Sequence, residues 1–331
     1  MTSPGFPLLV QTFFTEHLVA NKHSSPQTID SYRDTFRLLL NFLRKTTGRL
    51  PSQLAVADLD AHAILLFLDH LEKERGISSR SRNVRLAAIR SFFRYVVFRD
   101  PPSVGVAARV LAIPLKRSPK RLVGYLTRQE IQAVVAAPDR SHWTGRRDHA
   151  LIATLYNTGA RQSEVTSLCQ TQVVLAPKPF IHLHGKGRKD REVPLWRSTA
   201  RTLNGWIKEI GVQPTGVVFP SMRGGKLSAD GVSYILDQAV RRAASECPSL
   251  GARRITPHQI RHSTAMHLLQ AGVDLSVIAL WLGHESIETT HMYVEADLAT
   301  KERALEKLSP AGVKATRFRA DDQLLRFLAS L

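Results

Sequence analysis

A basic segment broken by prolines divides this chain of 331 residues into two parts. Residues 106–124 contain five Lys or Arg side chains and no Asp or Glu, and Pro114 and Pro119 interrupt regular structure there. We therefore predict an interdomain linker over 106–124, between an N-terminal domain (1–105) and a second domain (125–310). Two domains, each with its own hydrophobic core, also suit a chain of this length.

The N-terminal domain is predicted to be helical. Ser25 and Pro26 offer an N-cap and a first-turn proline, and apolar residues then recur at helical spacing. Two further helices are expected over about 58–75, ending at Gly76, and over about 79–98.

The third predicted helix has a polar face that carries arginines. Such a face is usually only solvated, but a bundle of helices with one basic face can grip DNA phosphates. The linker could likewise follow a DNA backbone or be a plain solvated tether. We predict DNA contacts for the basic residues of this face and of the linker: Arg90, Arg94, Lys116, Arg117, Lys120 and Arg121.

The second domain is predicted to be mostly helical with a small antiparallel β-sheet. Thr127 and Glu130 form a capping box, and a helix is expected from about 148 to 158, closed by a glycine. Residues 180–183 and 191–195 are expected to pair as strands across a glycine-flanked turn. The predicted fold class of the whole chain is therefore mainly α.

Composition points to a nucleic-acid partner in a reducing compartment. Lys and Arg outnumber Asp and Glu by 46 to 28, a net charge of +18. A membrane surface or an acidic protein is the alternative partner for such a charge. Two isolated cysteines make neither a disulfide framework nor a zinc ribbon, and neither a signal peptide nor a membrane span is evident. We expect a cytoplasmic protein with no membrane partner.

Two clusters near the C-terminal end suggest covalent chemistry. Residues 256–262 and 281–293 bring histidines, an arginine and Tyr293 together in a basic chain. A tyrosine hydroxyl is a poor nucleophile unless its target is electrophilic and its proton can leave. Arginine and histidine beside a phosphodiester would meet both needs, so attack on DNA is the leading hypothesis.

The first cluster also predicts a phosphate site. A capping box at Thr256 places His258 and Arg261 in the first turn of a helix, where backbone N–H groups and the helix dipole favour an anion. Arg161 precedes another helix, which starts near Ser163. Two arginines could hold both non-bridging oxygens of a phosphate in the transition state. Each arginine alone is more often a surface or salt-bridge residue.

Lys186 lies in the glycine-flanked turn of the predicted hairpin, where a mobile ammonium could protonate a departing alkoxide. Lys189 competes for that role, and a simply solvated turn is the alternative. The pair His258 and His262 has the spacing of two zinc ligands, but Gln259 stands where a zinc protease needs Glu. We therefore predict no metal site.

Residues 273–293 also have the pattern of a helix-turn-helix, with a turn at Gly283. This pattern favours a second hypothesis, a transcriptional regulator without catalytic activity. That hypothesis leaves Arg161, Lys186 and Arg261 without a role.

The chain resembles the tyrosine recombinase (phage integrase) family over nearly its whole length. Five motifs in family order carry the resemblance, and they lie at residues 158–165, 185–190, 258–262, 282–284 and 289–293. Their sequences are TGARQSEV, GKGRKD, HQIRH, LGH and TTHMY.

The resemblance implies a role for each matching residue. Tyr293 would form a 3′-phosphotyrosyl bond, and Lys186 would protonate the leaving 5′-oxygen. Arg161 and Arg261 would hold the phosphate oxygens. Three further residues would assist: His258 in proton transfer and phosphate binding, His284 in phosphate contact, and Glu164 in supporting the site.

The resemblance further implies an N-terminal core-binding (SAM-like) domain and recombination at a specific double-stranded DNA site. Exchange would pass through a Holliday junction in a homotetramer, with a second recombinase or accessory protein as a further candidate partner. It implies no cofactor, neither ATP nor a metal. The tail (311–331) would pack on a neighbouring subunit. The alternatives are a type IB topoisomerase-like enzyme and an inactive DNA-binding regulator.

Overall fold

The chain folds into two compact units, Met1–Arg121 and Leu122–Leu331. The computed structural model describes residues 4–117, 124–185, 190–211, 213, 216–251 and 253–284. Among these residues, no helix combines the length and the apolar character needed to cross a membrane.

The N-terminal unit is helical, as predicted. Its α-helices are α1 (Phe6–Thr12), α2 (Pro26–Thr47), α3 (Ala61–Arg75), α4 (Ser79–Arg99) and α5 (Val104–Ala112). A π-helical segment (Phe13–Asn21) continues α1, and short 3₁₀ turns occupy Pro51–Gln53, Val56–Leu59 and Pro101–Ser103. The three helices expected from the sequence are confirmed as α2, α3 and α4.

The core of this unit is built on aromatic rings around α4. Phe92 is fully buried and lies with its ring centre 5.2–6.1 Å from those of Phe6, Phe13, Phe36 and Phe93. All four ring pairs are edge-on, and such pairs add attraction beyond the apolar area that they bury. Phe92 therefore joins α1, the π-helical segment and α2 to α4.

The segment that follows α4 is held on the polar face of that helix. Helix α5 includes the first residues of the predicted linker (106–112), and its Ala107 and Val110 are buried. The Arg90 guanidinium donates to the carbonyl oxygens of Leu111, at 2.8 Å, and Ile113. The chain up to at least Ile113 is therefore part of the N-terminal unit.

The second unit is also mostly helical. Its helices are α6 (Arg128–Ala136), α7 (Trp143–Thr158), α8 (Gln162–Thr166), α9 (Arg197–Ile210), α10 (Ala229–Ala243), α11 (Pro257–Gln270) and α12 (Leu275–Leu282). Its strands are β1 (Val173–Val174), β2 (Phe180–His184) and β3 (Asp190–Pro194), with 3₁₀ turns at Gln170–Gln172 and Pro248–Leu250.

Helix α7 forms the centre of this unit. It packs against α6, α9 and α11, and every residue from 150 to 158 is buried except the half-buried Tyr156. The helix begins at Trp143 rather than near 148, because Gly145 lets its first turn lie against the backbone of Asp139. A Cβ at Gly145 would lie 1.8 Å from the Asp139 carbonyl oxygen.

Helix α11 packs on α7 through polar groups as well as apolar ones. The Thr264 hydroxyl donates to the carbonyl oxygen of Tyr156 at 2.7 Å, and the Tyr156 hydroxyl is hydrogen-bonded to His267 Nδ1 at 2.9 Å. Ser263 Oγ accepts the backbone N–H of Leu126 at 2.9 Å. Buried polar side chains with such partners specify one arrangement of the two helices.

The predicted strand pair is confirmed as an antiparallel hairpin. Its register runs from Phe180 opposite Pro194 to His184 opposite Asp190. The short strand β1 joins β2 on its other side and completes a three-stranded sheet. The hairpin therefore places His184 and Asp190, which flank residues 185–189 in the sequence, opposite each other.

Replacement of Phe92 by Ala is expected to lower the free energy of unfolding of the N-terminal unit by about 3–5 kcal/mol, because a buried ring would leave a cavity among four others. Urea unfolding followed by circular dichroism would measure this loss. Phe98→Ala, on the same helix at an 85% exposed side chain, is the matched control. Equal stability of the two variants would contradict this description of the core.

Candidate active site

A buried carboxylate forms the base of the site. Glu164, in α8, accepts the backbone N–H of Arg161 at 2.7 Å and its Nη1 at 2.8 Å. Arg191, from β3, donates to the two carboxylate oxygens from Nη1 at 3.1 Å and Nη2 at 2.8 Å. The exposed fractions of the Glu164 and Arg191 side chains are 3% and 8%. This is a forked, charge-assisted pair in a desolvated position.

The pairing keeps Glu164 ionised. Burial by itself raises the pKa of this carboxyl, but the hydrogen bonds and charge of Arg191, with hydrogen bonds from Arg161, outweigh burial and lower its pKa. Glu164 is therefore a carboxylate at neutral pH, suited to holding two arginines in place.

Three arginines meet at the C-terminal end of α12. Arg191 Nε donates to the carbonyl oxygen of Trp281 at 2.9 Å, and Arg161 Nη2 donates to that of Gly283 at 2.9 Å. Arg261 Nη2 donates to the Leu282 carbonyl oxygen at 2.7 Å. Trp281 and Leu282 are the last two residues of α12, and Gly283 is its C-cap. Carbonyls at this end of a helix have no N–H donor to satisfy them within the helix, and the helix dipole favours cations there.

Arg261 also reaches α7. Its Nη1 donates to the carbonyl oxygen of Gly159 at 2.7 Å, and the residue is 4% exposed. Arg261 therefore joins the ends of α7 and α12, both of which terminate at a glycine with a positive φ angle: Gly159 (+59°) and Gly283 (+65°). A Cβ at Gly159 would lie 2.5 Å from Leu282 Cδ2, so the approach of the two ends requires glycine.

His284 follows these carbonyls directly and lies among the same charges. Burial, followed by the charges of Arg261, Arg161, Arg191 and His258, lowers the pKa of His284 to about 4. Its imidazole is neutral at pH 7 and can exchange hydrogen bonds without adding positive charge.

Helix α11 carries three histidines, and two of them, His258 and His262, have different environments. His258 is exposed in the first turn, while His262 is 2% exposed, and their ring centres are 6.0 Å apart. Burial, with a smaller contribution from His258, lowers the pKa of His262 to about 4. His258 is therefore the imidazole of this helix that a ligand from solvent can contact.

The structure brings together most of the predicted catalytic residues. Arg161, Arg261 and His284 surround the end of α12, and Glu164 supports Arg161. His258 is close enough for its charge to act on His284. Lys186, its rival Lys189 and Tyr293 lie outside the described residues, so their roles stay predictions.

Some of the residues predicted to contact DNA bond within the N-terminal unit, and others are exposed to solvent. Arg90 donates within its own unit, and Lys116 Nζ pairs with Glu72 Oε2 at 2.6 Å. Arg94 and Arg117 are exposed to solvent. Lys120 and Arg121, like the tail (311–331), lie outside the described residues.

Sequence reasoning missed Arg191. The alternation of side chains along β3 could have identified it. Arg191 lies on the same side of the strand as the buried Val193, and a charged side chain on the inward side needs a partner. Its acceptors, Glu164 and Trp281, are distant in sequence, and their identity could not be read from the strand.

Two family models match the chain. The phage integrase family model matches residues 124–299, and the model of the phage integrase N-terminal SAM-like domain matches residues 12–99. The protein y4rC of Sinorhizobium fredii, described as an integrase/recombinase, is 50% identical over 98% of this chain and 97% of its own length. Tyrosine recombinase XerC of Pelotomaculum thermopropionicum is 30% identical, covering 90% of this chain and 96% of that protein.

Solved structures share the fold. A complex of the Tn1549 transposon integrase with transposon right end DNA has a TM-score of 0.70 at 15% identity, covering 91% of this chain and 99% of that one. The XerH site-specific recombinase in a post-cleavage complex with palindromic difH substrate has a TM-score of 0.69 at 20% identity, covering 86% and 81%.

Arg191→Met is expected to lower the free energy of unfolding by about 3–5 kcal/mol, because it leaves the buried Glu164 carboxylate without its forked partner. Denaturant unfolding would measure the change. Arg146→Met is the matched control. Arg146 also pairs with a carboxylate through two nitrogens, its Nε and Nη2 with Glu209, but at a partly exposed position, and the variant should lose much less stability. The double variant Arg191→Met/Glu164→Gln should recover part of the loss; equal losses for Arg191→Met and Arg146→Met would contradict the buried clamp.

Stability is expected to fall as pH drops from 6.5 to about 4. The folded-state pKa values of His262 and His284, about 4, lie below the ordinary value of 6.5, so the unfolded chain binds protons first. The contribution of these two histidines to the free energy of unfolding is fully present above pH 6.5 and is lost as the pH falls toward 4. Urea unfolding at several pH values would measure the free energy of unfolding as a function of pH. Its dependence on pH should be weaker for His262→Asn/His284→Gln than for wild type or for the exposed-site control His142→Gln. An unchanged slope in the double variant would refute the assignment.

Proposed function

This chain belongs to the phage integrase family and is a tyrosine-type site-specific recombinase, and we propose that it cuts and rejoins DNA strands through Tyr293. The observation that carries the proposal is the meeting of Arg161, Arg261 and His284 at the end of α12. Among the residues that the structure describes, three guanidinium groups, including that of Arg191, stand there with one carboxylate, that of Glu164. This excess of positive charge suits an anionic phosphodiester and the charge that develops on it in the transition state.

The proposed cleavage is a transesterification. The Tyr293 hydroxyl oxygen forms a bond to the scissile phosphorus, and the bond from phosphorus to the 5′-oxygen breaks. The tyrosine proton passes to a base, for which His258 is the proposed group, and Lys186 gives a proton to the departing 5′-oxygen. Protons and bonds balance, and the phosphate ester is conserved in the 3′-phosphotyrosyl linkage.

Arg161 and Arg261 are proposed to hold the non-bridging oxygens during this step. The Arg161 side chain is 35% exposed, so it can meet a phosphate arriving from solvent. Arg261 is more buried and is oriented by the carbonyls of Gly159 and Leu282. Pre-oriented guanidinium groups stabilise developing charge without the cost of reorganisation.

Strand exchange is proposed to follow when the 5′-hydroxyl of a partner strand attacks the phosphotyrosine. This would occur at a specific double-stranded DNA site, through a Holliday junction held in a homotetramer, with the tail (311–331) packed on a neighbouring subunit. The DNA-bound structures of XerH and of the Tn1549 integrase support DNA as the partner. The Tn1549 integrase also supports integration or excision of a mobile element as the biological setting.

Tyr293→Phe is expected to abolish covalent attachment to DNA while leaving DNA binding intact, because it removes only the nucleophilic oxygen. The measurement uses DNA from the flanks of the protein's own gene, nicked beside candidate sites, and detects a complex that survives SDS and is lost on protease treatment. Tyr234→Phe, at a 64% exposed tyrosine, is the matched control and should react like wild type.

Covalent complexes formed by both wild type and Tyr293→Phe would show that another residue is the nucleophile. Tight binding with no covalent complex from either protein would favour a DNA-binding regulator. Relaxation of supercoiled DNA without joining of two sites would favour a type IB topoisomerase-like enzyme.

A further inference from the structure

The outward face of the β2–β3 hairpin carries two histidines and two carboxylates. Strand alternation turns Ile181, Leu183 and Val193 into the core, and the residues between them face outward. In the register of the hairpin, His182 lies opposite Glu192 and His184 lies opposite Asp190. Four groups able to bind a metal therefore share one small surface.

Three of these groups are close enough to share one ion. His184 Nδ1 lies 2.8 Å from Asp190 Oδ1, and His182 Nε2 lies 3.6 Å from Asp190 Oδ2. One ligand atom from each of these residues falls within 4.8 Å of the others. Zn–N and Zn–O bonds of about 2.0–2.2 Å place neighbouring ligands of a tetrahedral ion about 3.3 Å apart, so small side-chain rotations would close the site.

We propose that His182, His184 and Asp190 bind a zinc ion on this face, with Glu192 or water completing the coordination. The prediction of no metal site rested on a different histidine pair, in α11, and did not consider this face. Two imidazoles and a carboxylate suit zinc, whereas magnesium and calcium prefer sites made wholly of oxygen ligands. Glu192 Oε1 is 3.8 Å from His182 Nδ1 and can orient that ring as a second carboxylate. The exposed position of the site allows an ion to enter from solvent.

Two ligands of the proposed site, His184 and Asp190, flank Lys186 in the sequence. His184 and Asp190 form the final pair among the described residues of the hairpin, and residues 185–189 lie between them in the sequence. A zinc ion bound to both would hold these two flanking residues at a fixed separation, and we expect it to slow protease cleavage between them. The consequence for catalysis rests on the proposed role of Lys186 as the proton donor; zinc binding itself does not.

Binding is tested with the full chain, freed of any affinity tag, titrated with zinc chloride in a calorimeter. We expect one zinc ion per chain and an affinity at least about tenfold weaker (about 1.4 kcal/mol) in His182→Gln/His184→Gln. His142→Gln is the matched control, because His142 is an exposed histidine paired with a single carboxylate, Asp139. Absence of zinc binding by wild type, or equal affinity in the double variant, would overturn the proposal and leave the residues as cross-strand pairs.

The effect on the connecting segment is tested by limited trypsin digestion. Lys186, Arg188 and Lys189 are trypsin sites within it. Zinc should slow cleavage at these sites in wild type and not in His182→Gln/His184→Gln, which also controls for any effect of zinc on trypsin. Equal cleavage rates with and without zinc would overturn the restraint. Neither measurement uses recombination activity, so failure here is distinct from failure of the proposed function.

Discussion

The C-terminal end of α12 organises the candidate active site. Three arginines, from the start of α8, from β3 and from α11, donate to the carbonyl oxygens of Trp281, Leu282 and Gly283. These oxygens have no donor left within their own helix, and charged donors make stronger hydrogen bonds than neutral ones. Three separate elements are thereby tied to one point, immediately before His284.

Packing three guanidinium groups together is stable only because their charges have fixed partners. Glu164 takes hydrogen bonds from Arg161 and Arg191, while Arg261 is held by the carbonyls of Gly159 and Leu282. Removing charges from water is costly, and hydrogen bonds with good geometry offset that cost. Within the described part of the chain, one carboxylate stands against three cations, and this part of the site therefore keeps a positive charge that suits a phosphate.

Sequence patterns predicted much of the fold and several members of the site, because these depend on near neighbours along the chain. The capping box at Thr256 places His258 in the first turn of α11 and Arg261 at the start of the second, and that placement requires no knowledge of the tertiary structure. The arginines of α4 show the limit of such reasoning. A polar helix face has the same sequence pattern whether it contacts water, DNA or another part of the protein. In the structure, Arg90 donates to the carbonyl oxygens of Leu111 and Ile113.

The sequence by itself determined the helical class, the hairpin and the family motifs, because periodicity, caps and turns are properties of contiguous residues. The tertiary structure alone decided that Arg191 belongs to the site and that His262 is buried while His258 is exposed. It also decided that Gly159 must lack a Cβ against Leu282. Each of these depends on residues far apart in sequence, and only the packing of α7, α11 and α12 with β3 brings them within contact distance.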